Sequence, residues 1–580
     1  MRRAAHLSYI SNMLQVSAQN PLPATEAATP WRLPKNWLII TIIVLWIGCF
    51  HGLNAVGILD RDEGLYSTAS RQMLESGDWV VPRIGPDVRF AKPPLIYWLQ
   101  APSIALFGAT PFAVRLPSAL AAALTALLLM WWARRQSAER AGWIAALVYP
   151  LCPLIMGLSR QGITDSVLTL CLTLTVIGWI EGYRTDRRWY YLMAAGAALA
   201  TLAKGVIGML LPGAAFVLWL LLRRDGKELR RVPFAGALCL YLLLAVPWHL
   251  GMYRATGALF IREYFLHNHV QRFTGEAWGH VQPFWYYILI LLAGMFPWSV
   301  LLPSAWWRGL QGCREQRSEP GVGWAMWAVW AAVVVGFFSI SRSKLPGYIL
   351  PAVPALSLLI GVQVDRLWRE RQSLGKLEMA LLGLVSVLLG AIGIVAGILG
   401  QRWSAQVAAQ QIVSFRGKQV PERVLEPVIL LSPLMLGLGA LFLIGSLIVV
   451  ARRKQMPQAL GAMAVMNVIL ALLLVHAALP VYDRLVIAPL HDMGRRALPA
   501  LARGEPLVIY KLRPRRTSLR FVVGHTRQVT ETEESDELTR VLTAAPRGFI
   551  LTERDKELPS LPRAPRREAS SRRWVLWRYE

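Results

Sequence analysis

From residue 37 to residue 479 the chain alternates apolar stretches with short polar loops, and this alternation leaves it very few folds. Apolar runs occupy about 37–57, 111–132, 142–158, 164–182, 189–203, 205–222, 233–250, 284–307, 322–340, 345–364, 377–399, 427–450 and 457–479. A run of roughly 17–25 apolar residues crosses a bilayer as a helix, because hydrocarbon offers the backbone no other hydrogen-bond partners. The expectation is an all-α polytopic membrane protein with about thirteen transmembrane helices. Composition agrees. The chain is 55% hydrophobic and 17% charged, against roughly 45–50% and a quarter in soluble domains. Its 24 Trp residues suit two aromatic belts at the lipid boundary. Segment 1–36 is polar and lacks the apolar centre of a signal peptide, so the first run is expected to be retained.

The formal charge of +27 would suit a nucleic-acid binder, but its distribution does not. Lys and Arg gather in short clusters between apolar runs, at Arg134/Arg135/Arg140, Arg184/Arg187/Arg188, Arg223–Arg231, Arg308/Arg314/Arg317, Arg366–Lys376 and Arg452–Lys454. Threading thirteen helices puts all of these, and the N-terminal segment, on one side, which the positive-inside rule makes the cytoplasm. The N-terminus is then cytoplasmic and the C-terminus outside. Large outer segments fall at 58–110, 251–283 and 480–580. The last reads as a small α/β domain over 481–580. Strand-like runs at 507–510, 548–551 and 574–577 alternate there with helical patterns at 490–501 and 534–544. The intervening 37–480 is the membrane domain. The five cysteines form no C-x-x-C pair and avoid the outer loops, so neither a disulfide framework nor a zinc site is indicated.

The chemistry-bearing segment is the first outer loop. It reads Leu59-Asp60-Arg61-Asp62-Glu63-Gly64-Leu65-Tyr66, and later Arg89-Phe90-Ala91-Lys92-Pro93-Pro94. Leu65, Ala69, Met73 and Leu74 recur at helical spacing, predicting a surface helix after Glu63; the double proline opens a second from 94 to 107. Asp62 and Glu63 also suit a helix N-terminus as plain complements to its dipole. The argument for chemistry is convergence. Asp165, Lys204, His267, His269, Arg272, His280, Arg342 and Lys344 all fall at outer helix ends or in outer loops. Single basic residues there are explained by snorkelling. Together they form a cationic ring around a few carboxylates, at a membrane depth where charge is rarely kept without use. Cations offset the charge of a departing lipid phosphate, and a carboxylate takes the proton of an attacking hydroxyl. Transporters instead place ionisable groups near the bilayer midplane on broken helices. A transporter or flippase of a lipid-linked sugar is the alternative reading.

These motifs resemble a known superfamily. Asp60-x-Asp62-Glu63 with Tyr66, Gly77-Asp78-Trp79, Phe90-x-Lys92-Pro93-Pro94 with Tyr97-Trp98, and Arg115-Leu116-Pro117-Ser118 look like the bacterial lipid A aminoarabinose transferases. They are also similar to the protein O-mannosyltransferases, which share the GT-C fold. Thr164-Asp165, Lys204-Gly205, Pro247-Trp248, Gln282-Pro283-x-Trp285-Tyr286-Tyr287 and the 341–351 segment extend the resemblance over roughly 37–361. It implies a multi-pass bacterial inner-membrane glycosyltransferase with a periplasmic active site. The donor would be a polyprenyl (undecaprenyl) phosphate sugar, and the acceptor lipid A or another periplasmic glycan or protein. Transfer would be inverting and need no cofactor; Asp and Glu of the loop are of a type that holds Mg²⁺ or Mn²⁺, but no metal site is indicated. By matching positions, Asp62, Asp165 and the adjoining Glu63 are the candidate catalytic carboxylates. Lys92, Arg272, Tyr348, Lys344 and Lys204 are candidates for the donor phosphate, and Tyr66, His267 and Arg89 for the cavity. Leu65 and Ala91 stand where the aminoarabinose transferases usually have Arg and Glu, so the motifs indicate the superfamily and not a sugar.

Overall fold

The computed structural model describes residues 35–271, 281–409, 414–415, 418–419, 422–512, 516–524, 528–545, 547–561 and 563–580. Each of the thirteen apolar runs coincides with helical structure. Among the described residues eight helices are long and apolar enough to cross a membrane, and the pair Tyr286–Gly294 and Trp298–Arg314, bent by 119° at its break, is a broken span or a re-entrant loop. The rest are shorter helices, such as Trp37–Phe50, Trp189–Lys204 and Ile207–Arg223. The chain is therefore a multi-pass membrane protein.

Burial divides these helices by what they face. Thr164–Arg184 and Pro346–Arg369 are 89% buried over their most apolar window, whereas Phe234–Thr256 is 17% buried and turns its Leu and Val side chains outward. Trp132 packs edge-on against Trp324 and Trp327, with ring centroids 4.9 and 5.6 Å away, an arrangement that aromatic quadrupoles favour. The long helices Lys376–Ala408 and Glu422–Arg452 pair through glycines. A Cβ on Gly393 would lie 2.7 Å from the Met435 carbonyl, the close approach that small residues permit in lipid.

Contacts between loops group several of them at each end. At the basic end Arg317 pairs with Glu228, Arg140 with Asp365 at 3.3 Å, and Arg184 donates to the Ser318 carbonyl at 3.1 Å. At the other end Val281 bridges Ser343, and Gly57 N–H donates to Asp483 at 2.7 Å. The long outer loop lies at this second end. Its two surface helices are Asp62–Ser76 and Leu95–Phe107, joined through a small hairpin of Arg83–Ile84 with Asp87–Val88. Gly85 turns that hairpin at φ +62°, a conformation that favours glycine. The Gln72 amide pins it, donating to Gly85 O at 2.8 Å and accepting from Gly85 N at 2.9 Å.

The C-terminal region holds five strands: β1 (Leu507–Tyr510), β2 (Val529–Thr532), β3 (Gly548–Glu553), β4 (Arg566–Ser570) and β5 (Trp574–Tyr579). Their order is β2-β1-β3-β5-β4, parallel for β2-β1-β3 and antiparallel for β3-β5-β4. Helix Ala488–Ala502 packs beneath them, and it continues without interruption a helical run that began at Met456. The sequence signals β1, β3 and β5 but not β2 and β4. The two missed strands are the sheet edges, and their polar sequences, Val-Thr-Glu-Thr and Arg-Arg-Glu-Ala-Ser, lack the apolar alternation of a half-buried strand.

Candidate active site

Glu63 is where the sequence expectation needs correcting. It is 2% exposed and turns into the bundle. Its Oε1 accepts from Arg115 Nε at 2.8 Å and Gly162 N at 2.7 Å; its Oε2 accepts from Arg115 Nη2 at 2.7 Å and Leu59 N at 2.8 Å. Arg115 uses its remaining N–H groups on Leu53 O, Val56 O and Gly57 O, at 2.7–2.8 Å. All four acceptor positions and all five donors are filled, which is what makes a buried ion pair tolerable. Glu63 is a fastening for the loop, and no position on it remains for a reacting group. Gln100 adds a second fastening, taking a hydrogen bond from Ser70 at 2.7 Å and donating to Val114 O and Gly162 O.

Asp62, one residue earlier, is the reverse case. It opens the first surface helix, is exposed, and among the described residues makes no hydrogen bond or ion pair. Tyr66 lies one turn on, 5% exposed, with the Arg89 guanidinium 5.0 Å over its ring and Tyr97 beside it at 6.0 Å. Arg89 Nε also donates to the Tyr97 hydroxyl at 2.9 Å. Burial pushes the Tyr66 phenol up; Arg89 pulls it down, while Tyr97, Asp62 and Asp165 add to the rise. Tyr66 is thus a neutral hydroxyl within electrostatic reach of both aspartates.

Asp165 sits in the first turn of helix Thr164–Arg184, where the dipole favours a negative charge. Lys204, the last residue of Trp189–Lys204, places Nζ 2.6 Å from Asp165 Oδ1. Gly205, at φ +84°, ends that helix and turns the chain away. Tyr348 faces the same ammonium, which lies 4.7 Å from its ring centroid. Gly347 completes the cluster, since a Cβ there would meet Asp165 Oδ1 at 3.1 Å. Three segments far apart in sequence therefore bring Asp165, Lys204 and Tyr348 together.

Lys344 does not join them. It is 4% exposed and donates to Gln282 O at 3.0 Å and to Ser341 O, tying 281–282 to 341–343. Two of its three N–H groups bond backbone carbonyls. Lys92 is half-buried just before the second surface helix. Arg272 and His280, and the side chain of His269, lie outside the described residues.

Against the outer loop lies a cavity of about 1080 Å³. Arg61, Leu65, Arg89 and Ala91 of the outer loop, His267 and Glu263 of the helix Ile261–Gln271, and Arg520 and Glu531 of the C-terminal domain contribute to its wall. Both positions that depart from the aminoarabinose pattern, Leu65 and Ala91, therefore face this space. Among the described residues no group of three or more His, Cys, Asp or Glu is arranged to hold a metal ion.

Sequence reasoning missed the C-terminal domain's grip on the loop. Ser518 N donates to Asp60 Oδ1 at 2.8 Å, Thr517 Oγ1 to Arg61 O at 3.2 Å, and Thr68 Oγ1 to Thr517 O at 2.9 Å. Arg71 donates to Phe521 O and Val522 O. Gly64 admits this approach: a Cβ there would stand 2.6 Å from Ser518 N. The available signal was Thr517-Ser518 ahead of an apolar run, a helix start.

A helical membrane bundle whose first outer loop carries acids and cations, closed by an α/β domain, defines the GT-C class of fold. Among solved structures, ArnT from Cupriavidus metallidurans bound to undecaprenyl phosphate matches with a TM-score of 0.74 at 24% identity, covering 94% of this chain and 98% of that one. Its apo form matches at 0.73. Residues 91–250 match the family described as dolichyl-phosphate-mannose-protein mannosyltransferase. The undecaprenyl phosphate-alpha-4-amino-4-deoxy-L-arabinose arabinosyl transferase of Edwardsiella ictaluri is 34% identical over 344 residues, 58% of this chain and 60% of that protein. The protein of the same description from Pseudomonas paraeruginosa is 34% identical over 357 residues, 60% of this chain and 64% of that one. The chain thus spans between 60% and 64% of the length of these curated relatives.

Proposed function

We propose that the chain is a polyprenyl-phosphate-dependent glycosyltransferase of the bacterial inner membrane, with its outer loop and C-terminal domain in the periplasm. The donor is a sugar on undecaprenyl phosphate. Lipid A is the first acceptor to test, followed by other periplasmic glycans and proteins. The observation that carries this reading is Asp62, an exposed carboxylate with no ion pair or hydrogen bond among the described residues, within electrostatic reach of Tyr66 and Arg89 and next in the chain to Arg61, which lines a cavity of about 1080 Å³.

An acceptor oxygen attacks the anomeric carbon from the face opposite the phosphate, and the bond from that carbon to the phosphate oxygen breaks. The electron pair leaves with polyprenyl phosphate, whose added negative charge the nearby cations offset. Lys92 is the proposed cation at that phosphate, joined by Arg272 through the family resemblance. When the acceptor is a hydroxyl, Asp62 takes its proton; an already ionised phosphate acceptor needs no base. Asp165 holds Lys204 against Tyr348, a contact that supports their assignment to the same site. Glu63 and Lys344 hold the loops that carry the others.

The test is transfer of radiolabelled sugar from undecaprenyl phosphate in proteoliposomes. Asp62→Asn and Lys92→Ala should abolish transfer while both variants insert and fold. Full activity in both would remove this active site. Running the assay over a panel of donors and acceptors identifies the sugar.

A further inference from the structure

The basic end of the bundle holds a second, smaller site. A pocket of about 110 Å³ opens among helices Leu302–Gln311, Pro320–Ile340 and Val353–Arg369. Space of that size admits several waters or one small polar group. Arg308, Arg366, Arg369 and Gln363 line it, beside Trp324.

Charge is out of balance here. Arg366 pairs with Glu370 at 2.7 Å, while Arg369 and Arg140 share Asp365. Arg308 has no ion pair or hydrogen bond among the described residues. Three arginines therefore line the pocket with one carboxylate, Glu370, while the Glu315 carboxylate lies against Gly321 on its wall. Two polar atoms are also unmet: Arg366 Nη1, a donor, and Gln363 Oε1, an acceptor, are both buried without a hydrogen-bond partner, and Gln363 is only 4% exposed. A buried orphan costs free energy unless something fills it. A ligand that brings an anionic oxygen for the guanidinium and a hydroxyl for the amide satisfies both.

The surroundings say where such a ligand comes from. Trp307, next to Arg308, is 69% exposed on the outer face of the bundle. An exposed Trp beside basic helix ends marks the height of the lipid headgroups, and basic pockets between helices at that height suit anionic lipids. We propose that this pocket binds the headgroup of an anionic glycerophospholipid, with the phosphodiester on Arg308 and Arg366 and a headgroup hydroxyl on Gln363. The site lies at the end of the bundle opposite the sugar-transfer loop and does not rest on the transferase reading.

The experiment uses the full chain, purified and stripped of lipid, with native mass spectrometry and thermal melting as readouts. Phosphatidylglycerol should be retained as a discrete adduct and should raise the melting temperature, whereas phosphatidylcholine should do neither. Arg308→Ala should weaken phosphatidylglycerol binding by about ten-fold or more, the scale of a lost charge-assisted hydrogen bond, and Arg308→Lys should keep most of it. If Arg308→Ala does not fold, Gln363→Leu serves in its place. Unchanged phosphatidylglycerol binding in these variants, or equal binding of phosphatidylcholine, would overturn the site. Equal stabilisation by inorganic phosphate alone would overturn its assignment to lipid.

Discussion

Replacing Glu63 with Gln separates two roles that a carboxylate in this loop can have. The substitution keeps shape and volume but exchanges one acceptor oxygen for an N–H₂ group. Whichever way the amide turns, two donors lose their acceptor: Arg115 Nη2 and Leu59 N on one side, or Arg115 Nε and Gly162 N on the other. Breaking a buried ion pair on one side costs about 3–5 kcal/mol, because the surviving charge stays buried. Local opening of the 59–64 loop should then be favoured by a factor between about a hundred and a few thousand, at 1.4 kcal/mol per ten-fold. Hydrogen exchange at the Leu59 and Gly162 amides reads this directly, since both protons are held by Glu63. Transfer should fall as well, through displacement of Asp62. Wild-type protection at both amides, combined with loss of transfer, would refute the fastening role and restore Glu63 to the chemistry.

The Asp165–Lys204 pair should be strongly coupled: Asp165→Asn and Lys204→Gln together should lower stability by about 1–3 kcal/mol less than the sum of the single changes, in a melting-based double-mutant cycle. Additive effects would mean that the contact carries no energy. Gly64→Ala drives a methyl into the Ser518 backbone and should cost about 1–3 kcal/mol, read as faster proteolytic release of the C-terminal domain; unchanged release would show that the domain gives way freely. Installing Leu65→Arg with Ala91→Glu places a new ion pair on the large cavity's wall and should change the ratio of kcat/KM between two donor sugars by about ten-fold or more. An unchanged ratio across the panel would separate these positions from sugar choice.

The membrane architecture was legible because lipid leaves a single local solution, so apolar length alone locates the helices. The same logic explains what was hidden. The break at 294–298 falls inside one continuous apolar run, and hydropathy is blind to a bend that neighbouring helices fill. For the site, the residue types were legible but their orientation was not. Asp62 and Glu63 are neighbours of like chemistry, and a helix sends neighbours about 100° apart, so one is exposed and the other meets Arg115. Lys204 and Lys344 looked alike at outer helix ends, yet one meets a carboxylate and the other backbone carbonyls. The contacts of Ser518 and Thr517 connect residues more than 450 positions apart, a distance at which no periodicity carries information.

Asp60 and Arg61 are bound to the C-terminal domain and Glu63 to the membrane helices, so Asp62 alone forms the bridge slung between separate moorings. Such a bridge has no slack. Variation in length should be tolerated at the tip of the 83–88 hairpin and refused between 60 and 63, where one added residue would unseat either the domain or the helix. The spacing Asp-x-Asp-Glu is on this account a ruler, and its middle acid is carried at the one point where neither mooring can let it drift.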